Sequence, residues 1–322
     1  MTPALIGDIG ATNARFALLE NDEPTHIAVL PVADHPSLRD AIQAFLKQTE
    51  GAGLPRPRRG ALAVAGPVTG DYLSFTNHPW SFSIAALTRD IAFDYLKVVN
   101  DFVAQAMAAP RIGADRRRQV GSGTPVDGVP IAIIGPGTGL GVSIVVPVKG
   151  NAGNRWVPLA GEGGHATLPA VTDRERALIE LLYRSGRKHV SAETFICGAG
   201  LSLLHSSLST LNGVGKTELN PPEVTDRALK GTDPVAVEAV AIFCALLGTV
   251  AGNLALTAGS RGGLFIAGGI VPKLGGLFDK SDFRERFVAK GRMRTFLEPI
   301  PTYVITEQYP AFLGLAELLR EG

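Results

Sequence analysis

The feature that most restricts how this chain can fold occurs twice. Ala4-Leu5-Ile6-Gly7-Asp8-Ile9-Gly10 is a short apolar run that breaks into glycine, and a second apolar run, Ala14 to Leu19, follows the turn. Ile131 to Ile134, the stretch Gly135-Pro136-Gly137-Thr138-Gly139-Leu140-Gly141 and the run Gly141 to Val148 repeat that order. Short apolar runs around a glycine-rich turn read as β-hairpins, and two copies point to an internal duplication. Each turn offers consecutive backbone N–H groups and a hydroxyl, Thr12 in one and Thr138 in the other, the donors that grip phosphate oxygens. The same residues also describe plain tight hairpins, with Asp8 only capping its turn. The second turn is not a dinucleotide fingerprint, because the last position of G-x-G-x-x-G is Leu140 or Val142 in either frame.

At 322 residues the chain is long enough for two cores, since single cores stop growing near roughly 250 to 300 residues. It carries 31 basic and 30 acidic residues, a balance that provides no basic field for nucleic acid. Cys197 and Cys244 are the only cysteines, which excludes a disulfide framework and fits a reducing cytoplasm. The N-terminus has no basic segment followed by an apolar core. The most apolar stretch, Val235 to Leu256, contains Glu238 and Asn253 and has helical periodicity, so a buried helix and no membrane role are expected.

Between the hairpins the run Val98-Val99-Asn100-Asp101-Phe102 passes from β-branched residues to an amide and a carboxylate, as strands do when they deliver polar groups to a site. Ser37 to Gln48 has helical spacing behind a Ser cap, which makes this part of the chain α/β. Phe75-Thr76-Asn77-His78-Pro79-Trp80 pairs hydrogen-bonding groups with an aromatic wall, or is a structural loop with Trp80 in the core. Arg116-Arg117-Arg118 reads as a solvated connection between lobes. Farther on, Glu162 and His165 flank two glycines, Glu193 is a candidate hydroxyl acceptor on a first helical turn, and Gly268-Gly269 ends a strand so that a flat ring can lie on the backbone. Gly215-Lys216-Thr217 lacks the upstream glycine of a Walker A loop, since Thr210 stands there.

The order of these features resembles the sugar kinase, Hsp70 and actin ATPase superfamily. With Asn100-Asp101-Phe102, Gly161-Glu162-Gly163-Gly164-His165 and Thr76-Asn77-His78-Pro79-Trp80, the chain looks like the bacterial glucokinase family. The resemblance runs almost end to end and implies a two-lobed, actin-like hexokinase-type α/β fold with a duplicated core and a central cleft. It also implies a small domain of residues 1–110 plus 302–322, a large domain of residues 111–301, a homodimer, and ATP and Mg2+. It carries over Asn77, Asn100, Asp101, Glu162, His165 and Glu193 to glucose, with Asp101 as the base for the 6-hydroxyl. Gly7, Asp8, Ile9, Gly10, Ala11, Thr12, Gly137, Thr138, Gly268 and Gly269 fall to ATP, and Asp8 reaches the metal through water. Many relatives have glycine where this chain has Ala11, which questions the tightness of the first turn. Other readings are a broader hexose kinase, acting on mannose, fructose or N-acetylglucosamine, and a non-catalytic sugar sensor of the same fold. The cysteine-rich zinc motif of the related ROK kinases cannot be built from Cys197 and Cys244. A sugar-responsive repressor needs a helix-turn-helix ahead of the first hairpin, and with that hairpin starting at residue 4 none is expected.

Overall fold

Three antiparallel strands followed by two parallel ones form the frame of each half of the chain. A computed structural model describes residues 3–75, 79–150, 153–215 and 218–320. One compact unit takes the chain up to Ile112 together with the residues from Glu307 on, and the other is Gly113–Thr306.

In the first unit β1 (Ala4–Ile9), β2 (Asn13–Glu20) and β3 (Glu23–Pro31) form a meander, and β4 (Arg59–Val64) and β7 (Tyr95–Asn100) add to it in the order β3-β2-β1-β4-β7. A separate hairpin joins β5 (Tyr72–Ser74) and β6 (Ser81–Ser83). Helix α1 (Leu38–Gly51) starts where the Ser37 side chain accepts the Asp40 N–H, and it buries Leu38, Ala41, Ile42, Phe45 and Leu46 on one stripe. Phe45 stacks on Phe16 of β2 with ring centroids 5.6 Å apart. After α2 (Ile84–Ile91), β7 leads directly into α3 (Asp101–Ala108). The helix Pro310–Arg320 lies against α3 so closely that a Cβ at Gly314 would sit 1.8 Å from the Ala104 carbonyl oxygen. Only glycine permits that approach.

The second unit repeats the plan with β9 (Ile131–Pro136), β10 (Leu140–Gly150), β11 (Gly153–Ala160), β12 (Leu264–Ile266) and β13 (Thr302–Ile305), and β8 (Arg117–Val120) adds an antiparallel edge. Its order is β11-β10-β9-β12-β13-β8, so the repeat expected from the two hairpins extends to both sheets. Helices α4 (Asp173–Arg184), α5 (Ala192–Phe195), α6 (Gly198–Leu211), α7 (Pro221–Lys230) and α8 (Pro234–Ala258) separate β11 from β12. Asp233 caps α8 by accepting from Val235 and Ala236, and Gly259 ends it in the left-handed region. The helix is long and apolar enough to cross a membrane, but it packs into the core of this unit, burying Phe243, Cys244 and Leu247 among others. The segment Phe283–Val288 packs against it at Gly248 and Gly252, where a Cβ would overlap the carbonyl oxygens of Phe283 and Phe287.

Two expectations need correction. Thr302–Ile305 does not join the small domain, because β13 pairs with β12 and β8 inside the second sheet. Arg116 to Arg118 is not a free connection either. Arg117 and Arg118 lie in β8, the Arg117 guanidinium sits 4.1 Å from the Tyr303 ring centroid, and Arg118 pairs with Asp279. Charges on an edge strand hide its period in the sequence.

Glu175 of α4 is 3% exposed and receives both guanidinium arms of Arg286, at 2.7 and 3.1 Å, as well as the Val171 and Thr172 N–H groups. Burial pushes its carboxyl up, but these donors more than offset that and hold it below the usual value. Arg286→Met leaves a buried carboxylate unpaired, and urea unfolding is expected to show a loss of about 3–5 kcal/mol at pH 7. The loss shrinks as pH falls, because burial makes the unpaired Glu175 of the variant take up its proton before the paired Glu175 of the wild type does. A change under about 1 kcal/mol contradicts this account.

Candidate active site

The sheet register places the polar residues of the first unit. Ile9, Val64 and Asn100 lie side by side at the carboxyl ends of the parallel strands β1, β4 and β7. The first glycine turn, Gly66 and Asp101 therefore leave the sheet at one edge, where open α/β sheets bind their ligands. At the head of α3 the Asn100 Oδ1 accepts from the N–H groups of Phe102 and Val103 at 2.8 and 3.3 Å, while its Nδ2 donates to the Gly66 carbonyl at 3.1 Å. The amide is fixed, and it also hydrogen-bonds the Asp101 carboxyl.

Asp101 opens α3 at this edge, and its carboxyl is pushed up to about 6. Burial is the main cause, and the charge of Asp8 adds to it, against hydrogen bonds from the Phe102 N–H, its own N–H and Asn100. Asp8 is raised as well, since burial outweighs its ion pair with Arg15, whose Nη1 stands 3.3 Å from Oδ2. Burial and the charge of Asp8 thus raise the cost of ionising Asp101, which is left poised to take or give a proton near neutral pH.

The first turn is closed by the Gly10 N–H donating to the Asn13 carbonyl at 3.0 Å, and the Thr12 carbonyl accepts the Val32 N–H at 2.9 Å. Among described non-glycine residues, positive φ occurs only at Asn21, Asp22, His26 and Ala92. Ala11 therefore sits in a backbone conformation that alanine adopts without strain. Two of the expected turn residues lie within β1 itself. Gly7 is buried in β1, where a Cβ would meet Leu62 and Phe16 side chains at 2.7 and 2.9 Å, and Ile9 is fully buried. Gly7 pairs with Phe16 and Leu62 and Ile9 with Ala14 and Val64 in the sheet register. Trp80 is 2% exposed and its Nε1 donates to the His35 carbonyl, so it belongs to the core. Asn77 lies outside the described residues.

The second unit gathers its candidates around one residue, Leu140. Its N–H donates to Glu193 Oε2 at 2.8 Å, and its carbonyl lies 2.0 Å from where a Cβ of Gly164 would stand. Glu162 and His165 flank that glycine on the turn Gly163–His165, and both are exposed. The turn Gly137–Gly139 closes through a 2.8 Å bond from the Gly137 N–H to the Gly139 carbonyl, and Gly198 at the head of α6 donates to Gly137 O at 2.9 Å. Thr138 is exposed at its tip. Gly268, with φ of +80°, is pressed on the same strand end, since its Cβ would lie 2.3 Å from the Pro136 carbonyl oxygen. Nothing lies within 4 Å of a Cβ at Gly137 or Gly269, so both leave open backbone that a ligand can approach.

Comparisons with known proteins extend over nearly the whole chain. A glucokinase family model matches residues 5–322. The chain belongs to the glucokinase family. It is 48% identical over 319 residues to a glucokinase of Aromatoleum aromaticum, covering 98% of this chain and 94% of that one. Identity to a glucokinase of Nitrobacter hamburgensis is also 48%, over 98% and 97% of the two chains. Among solved structures, a glucokinase from an Antarctic psychrotroph superposes with a TM-score of 0.88 at 34% identity, covering all of both chains. This chain therefore has the two-lobed actin-like hexokinase-type fold, binds ATP and, as a glucokinase, phosphorylates glucose.

Reading the sequence missed two residues, one beside the candidates of each unit. Arg15 stands directly opposite Asp8 in the hairpin register, and pairing outward from the Gly10–Thr12 turn would have found it. Leu140 acts through its backbone, which leaves no trace in residue type.

Proposed function

We propose that the chain transfers the γ-phosphoryl group of ATP to the 6-hydroxyl of glucose, the first step of glycolysis, with Asp101 as the general base. The observation that carries this reading is the Asp101 carboxyl, buried at the strand edge and raised to about 6. A base poised there can accept the hydroxyl proton as the new P–O bond forms. Asn100 and Asn77 are assigned to ring hydroxyls. Glu162, His165 and Glu193 join them, so a missing or inverted hydroxyl leaves a polar partner unpaired. The amides of Gly10, Ala11 and Thr12, with Thr138, Gly268 and the open glycines Gly137 and Gly269, are assigned to ATP. Among the described residues no three His, Cys, Asp or Glu side chains gather as a metal site. One carboxylate at a phosphate turn suits Mg2+, which keeps most of its waters and takes phosphate oxygens. Asp8 is the residue that would hold it through water, and the ion would neutralise developing phosphate charge. A homodimer in the cytoplasm completes the reading, supported by the family likeness, and analytical ultracentrifugation tests the dimer.

A hexose-dependent ADP-release screen tests the reading. Glucose is expected to give the highest kcat/KM, ahead of mannose, fructose and N-acetylglucosamine, and ADP release that no hexose stimulates would refute it. The acid limb of the pH profile is a second check. The base must be unprotonated, so kcat/KM for glucose is expected to fall about tenfold per pH unit below an apparent pKa near 6. A profile flat to pH 4.5 removes Asp101 from the role.

A further inference from the structure

We propose that Glu193 is a positioning residue that passes hexose occupancy to the phosphate turn Gly137–Leu140, and this rests on the hexose reading given above. A carboxylate has two oxygens, and here they face different tasks. Oε2 accepts the Leu140 N–H at 2.8 Å. Oε1 takes no hydrogen bond among the described residues, which leaves it for a sugar hydroxyl. The side chain rises from α5, whose start is held by the Ser191 and Thr194 capping pair and by the Ala192 N–H on the Ala166 carbonyl at 2.8 Å. Glu193 thus has a fixed base.

The turn is shaped around this carboxylate. Gly139 lacks the positive φ that would demand glycine on conformational grounds. A Cβ there would instead lie 2.4 Å from Glu193 Oε2, so glycine makes room for the carboxylate itself. The Gly139 carbonyl receives the Gly137 N–H, and Gly137 in turn accepts from Gly198. Thr138 is held between these bonds. A hydroxyl donated to Oε1 fixes the orientation of the whole carboxylate, strengthens its hold on Leu140 and sets the turn for a terminal phosphate. Glu162 and His165 supply a second grip on Leu140, through Gly164 packed on its carbonyl. Sugar and phosphate contacts therefore meet at one peptide of the chain.

Coupling between two ligands is a free energy and acts in both directions. Binding of AMPPNP with MgCl2 is measured by calorimetry with and without saturating glucose, for the wild type, Gly139→Ala, Glu193→Ala and Glu193→Gln. Glucose is expected to tighten nucleotide binding about tenfold in the wild type. Gly139→Ala, which crowds the carboxylate off Leu140, and Glu193→Ala are expected to bring the factor to within about twofold of unity, while Glu193→Gln keeps most of it because an amide oxygen still accepts from Leu140. A merely structural role changes stability and leaves this ratio alone. A wild type with no coupling, or coupling that persists in both alanine variants, overturns the proposal. Should Gly139→Ala fail to fold, the contrast between Glu193→Ala and Glu193→Gln decides it. If the wild type neither binds glucose nor releases ADP with it, the hexose reading itself has failed. Normal glucose turnover with undiminished coupling in the variants rejects only the role of Glu193.

Discussion

Asp101→Asn is expected to lower kcat about 10³-fold and, at the same time, to make the protein more stable. The first effect follows from removing the base while leaving an isosteric group that still accepts the Phe102 N–H. The second follows from burial. A carboxyl lifted from 3.8 to about 6 is disfavoured in its ionised form by on the order of 2–3 kcal/mol, at about 1.4 kcal/mol per pH unit. The sign fixes the pH window. Well below pH 4 the group is protonated folded and unfolded, and the substitution changes little. The cost builds up as pH rises from the unfolded value of 3.8 to the folded value of about 6, where the unfolded chain ionises and the buried acid does not, and it is complete above that. Urea unfolding at pH 4.5 and pH 8 should therefore show a stability gain about threefold larger at the higher pH. An equal gain at both values, or turnover near normal, would refute the assignment.

The second large effect separates two adjacent glycines. Gly268→Ala combines a φ of +80° with a Cβ 2.3 Å from the Pro136 carbonyl oxygen, a backbone group that cannot swing aside. More than about 3 kcal/mol of stability should be lost, and with it the strand-end turn that Gly137 and Thr138 share. Gly269→Ala meets no atom within 4 Å, and its φ of −89° suits any residue. Its stability should change by less than about 0.5 kcal/mol. If a nucleotide lies on that backbone, its KM for ATP should nevertheless rise severalfold while the KM for glucose holds. Unchanged nucleotide kinetics in a stable Gly269→Ala protein would place the nucleotide elsewhere.

Much of this was readable in the residues because local chemistry and tertiary fate coincide there. Ser37 caps α1, Asp233 and Gly259 bound α8, and the two glycine hairpins announce a repeat that the strand order bears out. Where a residue's fate depends on a distant neighbour, the sequence was silent or misleading. Gly7 looks like part of a phosphate loop, yet Leu62 and Phe16 fill the space beside it. Thr302 to Ile305 looks as though it should travel with the closing helix, yet its partners are β12 and β8. Glu193 was visible as a carboxylate, but its bond to Leu140 joins residues that only the fold brings together.

The helix Pro310–Arg320 that backs α3 at Gly314 has a bearing on synthesis. The unit holding Asp101 is discontinuous, and its missing piece follows the entire second unit in the chain. On the ribosome the first stretch to emerge must therefore wait, with the apolar face of α3 uncovered, until translation has passed residue 320. Nascent chains halted earlier would expose that face and be targets for chaperones or proteases. The unit that carries Asp101 is thus completed last, after the whole second unit has been made.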